Sequence, residues 1–253
     1  MKQLRIGLQL YTLREELGRD FLGTLEKVRE IGYQAVEFAG FGGLEAKELA
    51  NQLKRLQIKA LSSHHSLEDL ESKLDQIISY NQVIGNQIIV CPWIPKEDFT
   101  HRDHYLRLAE RLEVIGKKTK ENGLTLCYHN HEFEFESFDG DYGLDLILQN
   151  TDPEYLQLEL DVYWAEFAGV SALQYMDQYA NRCLLIHLKD MAKTPTREVI
   201  ELGQGSIDMV QIIEKAKEIG VQGGFVEQDV CKRSPIESIH LSFHYLNERE
   251  QFY

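Results

Sequence analysis

Residues 124–135 read Leu124-Thr125-Leu126-Cys127-Tyr128-His129-Asn130-His131-Glu132-Phe133-Glu134-Phe135. The first half alternates as a β-strand does. Successive side chains of a strand point to opposite faces, so Leu124, Leu126 and Tyr128 share one face and Thr125, Cys127 and His129 the other. The apolar face suits packing against helices. The second face ends in an imidazole, and His131 follows in phase where the strand runs on. Three later runs have the same shape. Leu156-Gln157-Leu158-Glu159-Leu160-Asp161 alternates and puts Asp161 in phase with Glu159. Cys183-Leu184-Leu185-Ile186-His187-Leu188-Lys189-Asp190 turns polar at His187, and Gly224-Phe225-Val226-Glu227-Gln228-Asp229 ends in Glu227.

Working outward, further strand-like runs cover residues 6–10, 35–38, 59–62 and 87–91; with 125–130, 156–160, 183–187 and 224–226 they make eight. Helical spacing of apolar residues fills the gaps at 20–31, 44–56, 66–84, 105–121, 143–149, 172–179, 208–219 and 235–247. Gly32, Asn122-Gly123 and Gly220 supply stops, and Asp208 an N-cap. Strict alternation demands parallel strands joined by right-handed crossovers. Eight such units in 253 residues favour a closed (β/α)₈ TIM barrel over an open doubly wound sheet. The turn after the first run, Tyr11-Thr12-Leu13-Arg14-Glu15, also lacks the Gly-rich phosphate fingerprint. With no linker, repeat or low-complexity tract, one barrel domain is expected over 1–253.

Composition narrows the classes. An apolar fraction of 43% supports a packed core. A net charge of −14 opposes the phosphates of nucleic acid, so none is expected as a partner. No apolar run reaches the length of a membrane span, and Met1-Lys2-Gln3-Leu4-Arg5 has no signal-peptide pattern. Cys91, Cys127, Cys183 and Cys231 are widely spaced, which fits a reduced, cytoplasmic protein. Self-association into a homo-oligomer stays open.

In such barrels the active site lies at the C-terminal ends of the strands. His129, Asp161, His187 and Glu227 end four consecutive strands, which lie about 4.8 Å apart and curve toward one axis. A lone polar strand end is usually a solvated loop junction; four on adjacent strands point to a site. Mixed imidazole and carboxylate donors suit one borderline divalent ion, with Mn²⁺ expected and Co²⁺ or Zn²⁺ as alternatives. Glu37, charged within Val36-Glu37-Phe38, is either a ligand to substrate hydroxyls or half of a structural ion pair. His64 is a candidate substrate contact, whereas His65 can simply open a helix. Trp93 and Tyr11 follow strands and are either sugar-stacking rings or loop packing. Cys91 and Cys127 are read as core, and Phe133, Phe135 and Phe138 as a packed loop.

The chain resembles the sugar phosphate isomerase/epimerase superfamily, the xylose isomerase-like TIM barrels. Leu8-Gln9-Leu10-Tyr11-Thr12-Leu13-Arg14, Gly32-Tyr33-Gln34-Ala35-Val36-Glu37 and the 128–135 block carry the likeness. So do Leu160-Asp161-Val162-Tyr163-Trp164, His187-Leu188-Lys189-Asp190, Gly203-Gln204-Gly205 and Val226-Glu227-Gln228-Asp229. The resemblance implies one divalent metal, often Mn²⁺, bound by Glu, Asp, His and Glu at the ends of strands five to eight. Asp161, His187 and Glu227 match the last three; at the first position this chain has His129, with His131 and Glu134 nearby. It also has Trp164 where the epimerases place a substrate-contacting histidine.

The implied activity is metal-dependent proton transfer beside the carbonyl of a sugar or polyol, as in a sugar isomerase/epimerase. Glu227 would be the base and Lys189 a positive charge near the developing oxyanion, with Glu134, Glu132 or Glu37 as a second carboxylate and His131 and Trp164 as substrate contacts. An inosose-type dehydratase or keto-glycoside lyase/hydrolase is the alternative. A non-catalytic sugar-binding protein and an endonuclease IV-like phosphoesterase stand further back.

Overall fold

The computed structural model describes residues 4–249; residues 1–3 and 250–253 of the expected domain lie outside it. Eight parallel strands close into a barrel: β1 Arg5–Gln9, β2 Ala35–Phe38, β3 Lys59–His64, β4 Ile88–Cys91, β5 Thr125–His129, β6 Leu156–Asp161, β7 Cys183–Leu188 and β8 Gly223–Val226. Each pairs with its neighbours in sequence, and β1 closes on β8 with Ile6 opposite Gly224. The crossover helices are α1 Phe21–Ile31, α2 Ala46–Leu56, α3 Leu74–Ile84, α4 Arg102–Glu121, α5 Gly143–Gln149, α6 Ala172–Gln178, α7 Met209–Ile219 and α8 Pro235–Asn247. None is long and apolar enough to cross a membrane.

Alternation sorts the strand residues as the sequence predicts. Leu126, Tyr128, Leu158 and Ile186 join the main core between sheet and helices. Ile88, Val90, Cys127, Leu185 and Phe225 form a separate apolar plug inside the barrel. The plug fills the lower barrel, so it forces the polar residues in phase with it to gather toward the C-terminal end.

The expected single helix over 66–84 is two, Leu67–Ser72 and α3, with Lys73 at φ −132° between them. Ser72 Oγ donates back to the Glu68 carbonyl at 2.7 Å. Such back-bonding competes with the helical ladder and favours a bend. Short helices Arg14–Arg19 and Val162–Phe167 are additions to the sequence reading. So are two small hairpins, one pairing Ser137–Phe138 with Asp141–Tyr142 and the other Asp190–Met191 with Val199–Ile200.

Gly116 marks the tightest seat of a helix on the barrel. A Cβ there would lie 2.1 Å from the Tyr155 carbonyl oxygen, which is backbone and cannot swing aside. Alanine would gain about 1 kcal/mol of helix propensity, but overpacking costs about 1–3 kcal/mol. Gly116→Ala should therefore lower the urea midpoint without changing the slope; an unchanged or higher midpoint would mean α4 shifts freely.

Candidate active site

Strand ends place the chemistry. His129, Asp161 and His187 end or nearly end β5, β6 and β7, and Glu227 directly follows β8. All four are buried, Glu227 being the most open at 5% exposure. Asp161 is fixed on both sides: its backbone N–H donates to Asn130 Oδ1 at 3.0 Å, and its Oδ1 accepts from the Trp164 N–H at 3.0 Å, capping the helix Val162–Phe167.

Two clusters share this end of the barrel. In the outer one, His187 Nδ1 lies 2.7 Å from Glu227 Oε2. Lys189 Nζ lies 2.7 Å from Glu227 Oε2, 2.9 Å from Asp161 Oδ2 and 2.9 Å from Asp229 Oδ2. Asp161, His187 and Glu227 each turn one donor atom within 4.8 Å of the others. In the inner cluster, Glu159 Oε2 lies 2.9 Å from His64 Nε2, 3.2 Å from His129 Nδ1 and 3.3 Å from His187 Nε2. Glu37 Oε2 joins at 2.7 Å from His187 Nε2 and 3.1 Å from His64 Nε2. Gln9 Nε2 donates to Glu37 Oε2 at 2.7 Å and Ser62 Oγ to Oε1 at 2.5 Å.

The charges follow from this packing. Burial disfavours charge on Glu227, but Lys189 and His187 outweigh it and hold the carboxyl well below its usual range. Glu37 is likewise buried and held well below that range by His64 and His187. Burial also opposes charge on His64, yet Glu37 and Glu159 lift it to about 9. Similarly, the surrounding carboxylates raise His187 and Lys189 well above their ordinary values. Burial dominates at Asp161 and pushes it up to about 6. His129 is held well below its ordinary value and His131 at about 3, each first by burial.

Of the residues singled out from the sequence, His129, Asp161, His187, Glu227, Lys189, Glu37 and His64 come together. His131 and Trp164 stand at the edge, with His131 5.2 Å from the His129 ring and Trp164 5.8 Å from Lys189 Nζ. Tyr11 and Trp93 are exposed after β1 and β4, and Arg14 stacks on Tyr11. Glu134 stands apart. Its oxygens accept from Tyr128 Oη at 2.6 Å and the His131 N–H at 2.8 Å, and burial pushes it up to about 7. Tyr128 belongs to the helix-facing side of β5, so Glu134 backs the strand.

Three participants were not singled out. Glu159 is a carboxylate inside an otherwise leucine-alternating strand, which was the available signal. Asp229 ties down Lys189, two residues past Glu227. Asp190 accepts from the N–H groups of Gly203, Gly205 and Ile207 at 2.9–3.1 Å and so pins the loop beyond β7. A Cβ on Gly205 would sit 2.2 Å from that carboxylate, which explains the glycine.

Glu159 Oε1 is buried without a hydrogen-bond partner among the described residues, and Asp161 Oδ2 and His129 Nδ1 make no hydrogen bond beyond their ion-pair contacts with Lys189 and Glu159. Buried polar atoms are nearly always satisfied. Imidazole nitrogens and carboxylate oxygens with free lone pairs are the donors a borderline divalent ion takes, so the donor set fits a metal. A cavity of about 650 Å³ opens at the opposite, N-terminal end, lined by Arg5, Lys59, Thr125 and Gln222 among others. It lies away from these groups.

A family model described as xylose isomerase-like TIM barrel matches residues 25–234. The inosose dehydratase of Lacticaseibacillus casei is 24% identical over 263 residues, covering 88% of each chain. A crystal structure described as a sugar phosphate isomerase/epimerase from Parabacteroides distasonis is 26% identical, with a TM-score of 0.86, covering 100% of this chain and 96% of that one. The IOLI protein with a bound zinc atom has the same fold at 15% identity, TM-score 0.74 and 99% coverage of both chains. With closed barrel, strand-end cluster and family match in agreement, the chain belongs to the xylose isomerase-like TIM barrels.

Proposed function

We propose that the chain is a metal-dependent dehydratase that removes water from a cyclic keto-polyol of the inosose kind. The observation that carries this reading is that no second carboxylate free to act as a base stands opposite Glu227: Asp161 and Asp229, the other carboxylates of the outer cluster, are both paired with Lys189. Epimerisation needs a proton returned to the opposite face of the same carbon, hence a second base. Glu134 is spent on Tyr128 and His131, and Glu37 on Gln9, Ser62 and His187. Glu132 lies 4.0 Å from Lys96, and His129 stands where the epimerases have glutamate. Elimination needs only one such carboxylate.

Asp161, His187 and Glu227 would hold the ion, leaving positions open to substrate as catalytic sites do. When bound there, a divalent ion, Mn²⁺ by resemblance or Co²⁺ or Zn²⁺, polarises the carbonyl and stabilises negative charge on its oxygen. Glu227 takes the proton from the carbon beside the carbonyl. It then returns that proton to the departing β-hydroxyl, so that one C–H and one C–O bond break and water leaves. Lys189 holds Glu227 ionised before substrate arrives. Once its ammonium turns to the substrate oxygen, Glu227 loses that partner and becomes more basic. Trp164 and His131 roof this end and limit water.

A sugar isomerase/epimerase is the second reading, favoured by the likeness to the Parabacteroides distasonis structure. Incubating the metal-loaded protein with an inosose in D₂O separates the two. Dehydration should give a product lighter by one water with a new conjugated-carbonyl absorbance. Deuterium uptake into an epimer or isomer without water loss would replace it with the second reading.

Glu227→Gln keeps the shape and removes the base. General-base losses run about 10²–10⁴-fold, and kcat should fall by that amount in protein that circular dichroism shows to be folded. Near wild-type turnover would place the base elsewhere.

Metal uptake should rise with pH. Asp161, at about 6, must be ionised to coordinate, and His187, raised well above its ordinary value, must give up a proton. Both groups bind protons in competition with the ion. Calorimetric titration near pH 7 in buffers of different ionisation enthalpy should show proton release, with affinity falling as pH drops through 6. Binding without proton release contradicts this ligand set.

A further inference from the structure

We propose that the barrel holds a second divalent cation, at an inner site formed by His64, His129 and Glu159. It is separate from the Asp161–His187–Glu227 site and is structural in role. Glu159 precedes Asp161 by two residues on β6, one pleat deeper in the barrel, and is wholly buried. Its Oε2 lies among His64 Nε2 at 2.9 Å, His129 Nδ1 at 3.2 Å and His187 Nε2 at 3.3 Å. These four side chains turn donor atoms within 4.8 Å of one another.

One observation beside the clustering itself favours a cation there. Glu159 is 0% exposed, yet its Oε1 has no hydrogen-bond partner among the described residues, and His129, 2% exposed, makes no hydrogen bond at Nδ1 although that atom faces Glu159 Oε2 at 3.2 Å. Buried polar atoms are nearly always satisfied.

The ring nitrogens divide between the sites. His187 turns Nδ1 to Glu227 and Nε2 to Glu37 at 2.7 Å, so it can ligate outward while its other N–H is held by a carboxylate. His129 does the reverse, with Nδ1 toward Glu159 and Nε2 3.7 Å from Asp161. Metal-bound histidines characteristically carry such a carboxylate on the second nitrogen. Whole imidazole rings stand between the two sites, so the ions are too far apart for the shared-oxygen chemistry of hydrolytic pairs, spaced about 3.5–4 Å. Glu159 and His129 are buried and only His64 is partly open, at 12% side-chain exposure, so an ion there would fix the rings of His64 and His129 and would exchange more slowly than one at the outer site.

Elemental analysis tests this on the full chain, stripped with a chelator, reloaded from buffered Zn²⁺ and desalted. Wild type should carry two zinc ions per chain, one lost quickly to a fresh chelator and one slowly. His64→Gln and Glu159→Gln should each carry one, lost quickly, and Asp161→Asn one, lost slowly. A single ion in wild type that survives His64→Gln and is lost in Asp161→Asn overturns the inner site, and the proposed function stands without it. A single ion with the opposite pattern overturns the outer site instead, and no ion in wild type overturns both. The wild-type count needs no variant to fold.

Discussion

Four carboxylates buried at one end of a barrel are the constraint on which this structure depends. Glu37, Glu159, Asp161 and Glu227 are each 5% exposed or less. Removing such charges from water is costly unless opposite charges and hydrogen bonds replace the solvent. His64, His187 and Lys189 supply the positive charge, and Gln9, Ser62 and Asn130 supply fixed hydrogen bonds. The apolar plug of Val90, Cys127, Leu185 and Phe225 below them keeps water from entering from the other end. Fold and site are therefore one arrangement. The barrel brings the charges together, and the charges hold the strand ends in register.

This arrangement is lopsided, and the lopsidedness bears on the chemistry. Lys189 and Glu227 form an ion pair at 2.7 Å on one side of the outer cluster. Across from them, on β5, stands His129, which burial keeps from charging. A symmetrical pair of carboxylates would suit moving a proton from face to face. One carboxylate beside an ammonium suits taking a proton and returning it to a departing hydroxyl.

The barrel was legible in the sequence because each strand carries its own alternation and each helix its own stop. Strand and helix limits mostly fall within two residues of the expected ones, and α5 and α8 coincide with them. The convergence of His129, Asp161, His187 and Glu227 was legible for the same reason, since phase and strand order determine it. Contacts that skip strands were not. Glu159 served only to orient Asp161, and nothing local says that β3 brings His64 against it. Glu134 sits behind β5 because the 3₁₀ turn Phe133–Phe135 folds its carboxylate back onto Tyr128. That turn has no periodic signature. Asp229 lies beyond the last strand, where alternation stops informing.

The central claim is that the ends of β6, β7 and β8 form a metal-binding catalytic centre. Crystals of the protein grown with Co²⁺, measured on both sides of the cobalt absorption edge, test it most directly. The account predicts an anomalous difference peak bounded by Asp161, His187 and Glu227. A map with no peak among these three residues would contradict it.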